Sequence, residues 1–487
     1  MGVPSNVSLP FVGVEFNNTI AVSGSAKFPP RALIVGQKVA AGTADTEKVY
    51  SISSLNDVIT LAGSGASIYR DVEAFIANSN TVPLDIILVD DPAGSAAVTT
   101  VTITGTATKA GEVALYVDGK RYATPIAVGD DEDAVSKALV ALVNADSNAA
   151  VTAADDTLFF TLTANNLGVG AGDTDVRFSY NANEAFPAGL SGAAVTVAGT
   201  GDVTSTDFTD AIGANWYQVI SGPYADATFL TGIQTWLTAQ ADVLVMKDSF
   251  YFTGIRGDKA SLIAFAADSG RNNQFVNLLD CNAIPGTIGK RAAAVAGATI
   301  QSVLNTDVAV PFHRMKLAGE LTLASEDVRD IVPDRNELAN GGISTFTENN
   351  GVQTEATVTM YLENDAGGND ISYRQQNTLW QLLYARYTFR QDVLLKYPRA
   401  KLMTNTAKVR SLSQTISPVK GKAFAIAWFR RLESEGILEN IEQFKRDVKC
   451  IRSTEDPNRL IWYLPADLVN QFIVGSADLA FILEGVN

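Results

Sequence analysis

The chain has 487 residues, 46% hydrophobic and 18% charged, which is ample material for folded cores and excludes a disordered polymer. Its formal net charge of −16 excludes the basic surface that nucleic-acid binding needs, and no apolar run reaches the roughly 18 residues of a membrane span. Two cysteines, Cys281 and Cys450, cannot build a disulfide framework.

The charge is lopsided, with 26 acids against 10 bases up to residue 243 and 27 of each beyond it. Such a bias points to a solvated, solubilising surface on the first half. The start, MGVPSNVSLP, lacks the basic-then-apolar order of a signal peptide, and Asn6 stands where myristoylation requires Ser or Thr. The expectation is a protein made and assembled in the cytosol.

Residues 1–28, punctuated by Pro4, Pro10, Gly13 and Gly24, form an extended arm. Within it LPFVGVEF, carrying Leu9, Phe11, Val12, Val14 and Phe16, has strand character and no local partner. RALIVGQ predicts a short buried strand. SLNDVITLAG and SIYRDVEAFIANS predict helices, the second with Ile68, Val72, Phe75 and Ile76 on one face. PLDIILVDD is a further buried strand closed by Pro92, so this stretch makes an α/β unit with a parallel sheet.

At about residue 93 the chain turns small, Thr- and Val-rich, and alternates with period two, with Asp118-Gly119 as a hairpin turn. DDEDAVSKALVALVNA predicts an amphipathic helix with Ala134, Ala138, Leu139 and Leu142 inward and its acids at the N-terminus. TLFFTLTA and DVRFSY add strands before a Gly/Ala/Thr-rich exit to about 203. This module interrupts the α/β unit, which resumes at NWYQVISGP. There follow a helix at ADATFLTGIQTWLTAQ, a strand at DVLVM, a helix at DKASLIAFAADSG, a strand at QFVNLLD and a helix at GKRAAAVAGATIQSVL. Residues 306–370 are loop- and turn-rich. NTLWQLLYARYTFRQDV is a strong helix with Leu379, Leu382, Leu383 and Tyr387 in register, and KGKAFAIAWFRRLESEG a second, ended by Gly436. DVKCIRS and RLIWYLPA are strands around the turn TEDPN. The last segment, QFIVGSADLAFIL, carries Phe472, Ile473, Val474, Leu479, Phe481, Ile482 and Leu483, a composition suited to a buried strand.

The chain is therefore a mixed α/β (α+β) multidomain protein. Residues 1–28 are an N-terminal arm, 29–92 plus 204–345 a discontinuous α/β domain, and 93–203 an inserted acidic β-rich domain. Residues 346–470 form a C-terminal α/β domain and 471–487 a C-terminal linking arm.

No segment carries a catalytic pattern. His313, the only histidine, sits in VPFHRMKL with no nearby Cys or second His, so it reads as a structural or surface residue and gives no signal of a triad or zinc site. PGTIGKRA resembles a phosphate loop, but Ile284 stands where the first Gly belongs and Arg291 where Ser or Thr belongs. LGVGAGDTD is Gly-rich, yet Asp173 falls where a dinucleotide fingerprint needs its last Gly. GDDEDA lacks the spacing of a calcium loop, and ENDAGGND reads as a surface turn. No enzyme activity, cofactor or metal is expected.

Two segments, PDRNELANGGISTFTENNGVQTEATVTMY and NDAGGNDISYRQQNTLWQLLYARYTFRQDVLLKYPRAKL, carry a family likeness. With them go the inserted VTITGTATKAGEVALYVDGKRYATPIAVGDD module and the order arm, α/β unit, insertion, C-terminal domain, arm. On these features the chain resembles the contractile tail sheath proteins of Mu-like bacteriophages. The resemblance implies a virion structural subunit, assembled in the host cytoplasm as hexameric rings stacked helically around a tail tube. It implies further copies, the tube protein, and baseplate and tail terminator proteins as partners, with no nucleic acid and no membrane insertion. It also implies terminal arms that cross to neighbours and add strands to a sheet in a third subunit's C-terminal domain. Arg386, Arg390, Lys445 and Arg446 are candidate contacts to the tube or between rings. A surface-layer or adhesin-like protein, which needs an export signal, and an acidic hydrolase using paired carboxylates remain as alternatives.

Overall fold

The structure, a computed structural model, describes residues 29–156, 158–282, 284–323, 331–407 and 414–480. The expected arm strand with Leu9, Phe11, Val12, Val14 and Phe16 lies outside these residues, as do Phe481, Ile482 and Leu483. Two compact units divide the chain, residues 30–381 with 468 onward, and residues 382–467.

The first unit starts with β1 (Ala32–Gln37), six residues that are all buried, as in a strand covered on both faces. β2 (Val49–Ile52), α1 (Leu55–Ala62), α2 (Ile68–Asn78) and β3 (Leu84–Val89) follow. The chain then leaves for an inserted lobe made of β4 (Ala96–Gly105), β5 (Gly111–Val117), β6 (Lys120–Ile126), α3 (Glu132–Ala145), β7 (Val151–Asp155), β8 (Phe160–Leu167), β9 (Val176–Phe178) and β10 (Leu190–Val197). It re-enters the core through α4 (Thr206–Ile212), β11 (Val219–Ser221), α5 (Ala227–Ala241), β12 (Phe250–Ile255), α6 (Lys259–Ala266), β13 (Val276–Asp280), α7 (Ile288–Asn305), α8 (Val332–Asn340), β14 (Ile343–Glu348) and β15 (Val352–Ala356). Ser54, Asp131, Asp226, Asp258 and Thr287 each accept a main-chain N–H at the start of α1, α3, α5, α6 and α7, satisfying donors that a helix leaves orphaned.

The core strands form one eight-stranded sheet in the order β15-β14-β13-β12-β11-β1-β3-β2. Pairing is parallel throughout, except that β2 runs antiparallel to β3 and β15 to β14. The chain builds outward from β1 to β3, then returns to the other side of β1 at β11, which makes a switch point between β1 and β11. The Ala-rich α7 packs against α2. A Cβ on Gly289 would lie 2.4 Å from Asp71 Oδ2, and one on Gly297 3.0 Å from the Phe75 carbonyl oxygen, so both glycines permit this approach.

The inserted lobe has a four-stranded sheet, β10-β4-β8-β7, and a three-stranded one, β6-β5-β9. Val101, Leu115, Val135, Leu139, Phe160 and Leu162 are at the centre of its core. Asp118 and Gly119 join β5 to β6 with φ of 52° and 82°, the positive pair that a two-residue hairpin turn demands. At the neck, Asp91 Oδ1 accepts from Gln37 Nε2 at 2.6 Å and from Asn166 Nδ2 at 3.0 Å, while Asn166 Oδ1 accepts from the Ser67 N–H at 3.0 Å.

Five expectations are corrected. DVLVM is no strand: residues 242–246 form a turn with Val243 and Leu244 exposed and Met246 at φ 56°, and the strand that follows α5 is β12. The loop-rich stretch 306–370 holds α8, β14 and β15, the two strands joined across Asn350 (φ 56°) and Gly351 (φ 108°). These strands extend the core sheet, so the division between units falls at residues 381 and 382, not at 345. The Gly/Ala/Thr-rich exit contains β10. Finally, α3 turns Val135, Leu139 and Val143 inward, while Ala134 and Leu142 are exposed, because the larger branched side chains at i, i+4 and i+8 fill the core better than alanine.

This rotation has a measurable consequence. Leu139→Ala is expected to cost about 2–5 kcal/mol of stability and Leu142→Ala under about 1 kcal/mol, read by urea denaturation followed by circular dichroism.

Candidate assembly interface

In the second unit, the part of α9 (Gln376–Lys396) from Leu382 onward packs with α10 (Pro418–Ser434). β16 (Lys401–Leu402) pairs in parallel with β17 (Thr415–Ile416), and β18 (Leu438–Glu439) precedes α11 (Ile441–Asp447). β19 (Lys449–Arg452) and β20 (Leu460–Tyr463) form an antiparallel hairpin. Phe389 is the hub, with ring centroids of Phe424, Trp428 and Trp462 at 5.7, 5.2 and 5.7 Å, all edge-on. The indole N–H of Trp428 donates to Thr388 Oγ1 at 3.1 Å, and Arg431 Nη1 lies 2.5 Å from Asp392 Oδ2. Phe429 stacks on Phe444 with centroids 4.1 Å apart. Ser417 caps α10, and Gly436 at φ 75° follows its end.

Alternation along the hairpin gives it two faces. Cys450 and Trp462 are paired across the strands and face α10, where the Trp462 indole donates to the Gly421 carbonyl at 3.0 Å. Ile451 and Ile461 are also paired, but face outward with Tyr463, and all three are exposed. Sequence reasoning placed both strands but missed this apolar outer face. The alternation of KCIR against LIWY carries it.

The tail leaves the first unit from a small amide clasp: Gln381 Nε2 donates to the Val469 carbonyl at 2.9 Å, and Gln471 Nε2 to Gln381 Oε1 at 3.2 Å. From 469 to 480 it has no regular secondary structure. Phe472, Val474 and Leu479 are 78%, 81% and 86% exposed, and Ile473 is exposed too, which is far from the ordinary fate of such side chains.

The four candidate basic residues separate into two pairs on two helices. On α9, Arg390 is exposed and Arg386 half-buried with polar company. On α11, Lys445 pairs with Glu442, and Arg446 Nε lies 3.0 Å from Asp447 Oδ1. His313 is half-buried, and burial followed by the Arg314 charge pushes its imidazole below the usual range. Among the described residues no three His, Cys, Asp or Glu side chains gather where they could hold a metal ion.

The Mu-like prophage FluMu tail sheath protein of Haemophilus influenzae is 33% identical to this chain over 487 residues, covering 99% of each. The chain belongs to the Mu-like tail sheath protein family. No family model matches the sequence. Among solved structures, the sheath tail protein of Desulfitobacterium hafniense is 15% identical with a TM-score of 0.49, covering 95% of this chain and 97% of that one. The sheath tail protein of Listeria innocua is 15% identical with a TM-score of 0.48, covering 92% and 93%. A tail sheath protein is a structural subunit of the contractile phage tail and so a component of the virion.

Both thiols are structural in this arrangement. Burial pushes the Cys450 thiol up to about 11 and the Cys281 thiol up to about 12. Under 1% of either is thiolate at pH 8, so iodoacetamide at that pH is expected to leave both unmodified in the folded subunit and to alkylate both in urea, as read by intact-mass spectrometry.

Proposed function

We propose that this sheath subunit polymerises as stacked hexameric rings around a tail tube and stays linked during contraction by strands exchanged between neighbours. The observation that carries the proposal is the tail, an apolar segment held at its root by Gln381 and exposed beyond it. Main-chain N–H and C=O groups of an extended apolar segment find partners most readily along another sheet's edge. The β19–β20 hairpin, two strands wide with an apolar outer face, supplies such an edge and a surface for alternate side chains. Donor and acceptor are different surfaces, so the contact is head-to-tail and propagates as an open helical array rather than closing on itself.

In this reading the domains divide the labour. The terminal arms and the C-terminal unit form the inner mesh, while the inserted acidic lobe faces outward and keeps unassembled subunits soluble. Contraction exchanges sheath–tube contacts for larger contacts between subunits, with the exposed Arg390 and the α11 bases positioned for tube or ring contacts. The tube, baseplate and terminator proteins are the partners, and the energy is stored at assembly without nucleotide.

Electron microscopy of the purified protein tests the proposal, with tubes or stacked rings expected. Leu479→Asp changes a side chain that is 86% exposed, so subunit stability is expected to stay within about 0.5 kcal/mol of the parent while tubes disappear. Parent-like tubes from this variant would remove the tail as the linking strand.

A further inference from the structure

The two glycine-bearing segments that fail as nucleotide loops meet each other in the fold. PGTIGKRA opens α7, and LGVGAGDTD belongs to the inserted lobe. The carboxylate of Asp173 receives both arms of the Arg256 guanidinium, Nε to Oδ1 and Nη2 to Oδ2, each at 3.1 Å. Its Oδ2 also accepts the Ile288 N–H at the first turn of α7 at 2.9 Å. Asp175 Oδ2 accepts the Gly286 N–H at 2.9 Å, while its Oδ1 accepts from Arg177 Nε at 2.9 Å. Arg256 is fixed from behind by the Cys281 carbonyl at 2.8 Å and by the Gly286 carbonyl, and Arg177 by the Asn282 carbonyl at 3.1 Å. A helix N-terminus attracts anions, and here the lobe supplies two as side chains.

We propose that Asp173 and Asp175 form a latch on Arg256 and the N-terminus of α7, which holds the inserted lobe on the core as one body and opens in alkali. This inference is independent of how subunits assemble.

The alkaline opening follows from what lies behind the latch. Asp71 of α2 is buried against Gly289, and its Oδ1 has no hydrogen-bond partner among the described residues. Asp118, at the tip of the β5–β6 hairpin, is buried too. Its Oδ1 accepts the Asp175 N–H at 2.9 Å, and its own N–H donates to the Asp175 carbonyl at 2.8 Å. Asp71 is surrounded by Asp118, Asp173, the Lys290 ammonium and the hydroxyls of Tyr224 and Tyr251. Asp118 is surrounded by Asp71, Asp173, Asp175, Arg256 and Tyr122. Lys290 and Arg291 are themselves shared with the buried Glu320, at 3.6 and 2.8 Å.

Burial, and then the neighbouring carboxylates, push Asp71 up to about 8. Burial also pushes Asp118 up to about 7, against the Asp175 N–H and Arg256. Both groups hold their protons more tightly when the latch is closed. The stability they contribute is therefore present in acid and is lost as pH rises through 7 and 8. Ionising both sets five carboxylates against four cations around two side chains, Asp71 and Asp118, that burial keeps from water, and the lobe then gains by separating.

Hydrogen exchange read by mass spectrometry on the full chain tests this, because Gly286 and Ile288 donate their amides to the latch. Protection factors, which remove the intrinsic pH dependence of exchange, are expected to fall at least about tenfold between pH 6 and 9 in peptides covering 173–177 and 286–291, but not in β1 or β3. Asp118→Asn keeps the oxygen acceptor and suits the positive φ of that position, and with Asp71→Asn it is expected to flatten the pH response. Arg256→Met is expected to lower the same protection at least about tenfold at pH 6. Constant protection in the parent, or an undiminished alkaline loss in the doubly neutral variant, overturns the proposal. Should Arg256→Met fail to fold, the comparison of parent and Asn variants decides alone.

Discussion

A parallel sheet buried on both faces can offer partners only its strand ends, its connections and its chain termini. The parallel centre of this sheath subunit's eight-stranded core obeys that constraint. β1 and β3 are buried along their whole length, and α2 and α7 lie close enough that glycine is needed at two contacts. The proposed assembly therefore draws on what this core does not use: a tail and, in the separate unit, an outward hairpin face and a few helical bases.

Charge imposes a second order on the molecule. All the excess negative charge falls before residue 243, yet acids of the inserted lobe do two different jobs. Asp131, Asp155 and Asp156 are exposed and serve solubility, while Asp173 and Asp175 turn inward onto a helix N-terminus. The main-chain N–H groups that a phosphate-loop-like turn offers to an anion are taken up here by two carboxylates of another domain. The lobe's placement thus depends on chemistry that elsewhere binds ligands.

Much of this architecture is legible in the sequence where one physical signal dominates. Long helices such as α2, α9 and α10, fully apolar strands such as β1 and β3, and the Asp118-Gly119 turn all announce themselves. Short apolar runs do not, since DVLVM and FYFTGI look alike until burial separates a turn from a strand. The Asn350-Gly351 hairpin carried a readable turn signal that the surrounding polar residues masked. For the interface, composition revealed the sticky tail, but not the outer face of the hairpin or the local acids beside Lys445 and Arg446. The strand alternation shows that the hairpin has two different faces but not which one meets α10, and the ion pairs depend on side-chain rotamers, which residue spacing does not encode.

The amide clasp at Gln381 and Gln471 fixes where the tail begins, and therefore how far it can travel. Leu479, exposed near the tip of the described tail, lies eight residues beyond Gln471, and an extended chain spans at most about 3.5 Å per residue, or about 28 Å. In the proposed strand exchange, a neighbour that holds Leu479 is leashed within that radius of the clasp. In that reading the tail is a length gauge as well as an adhesive, setting the largest displacement between linked subunits that the lattice survives in one stroke.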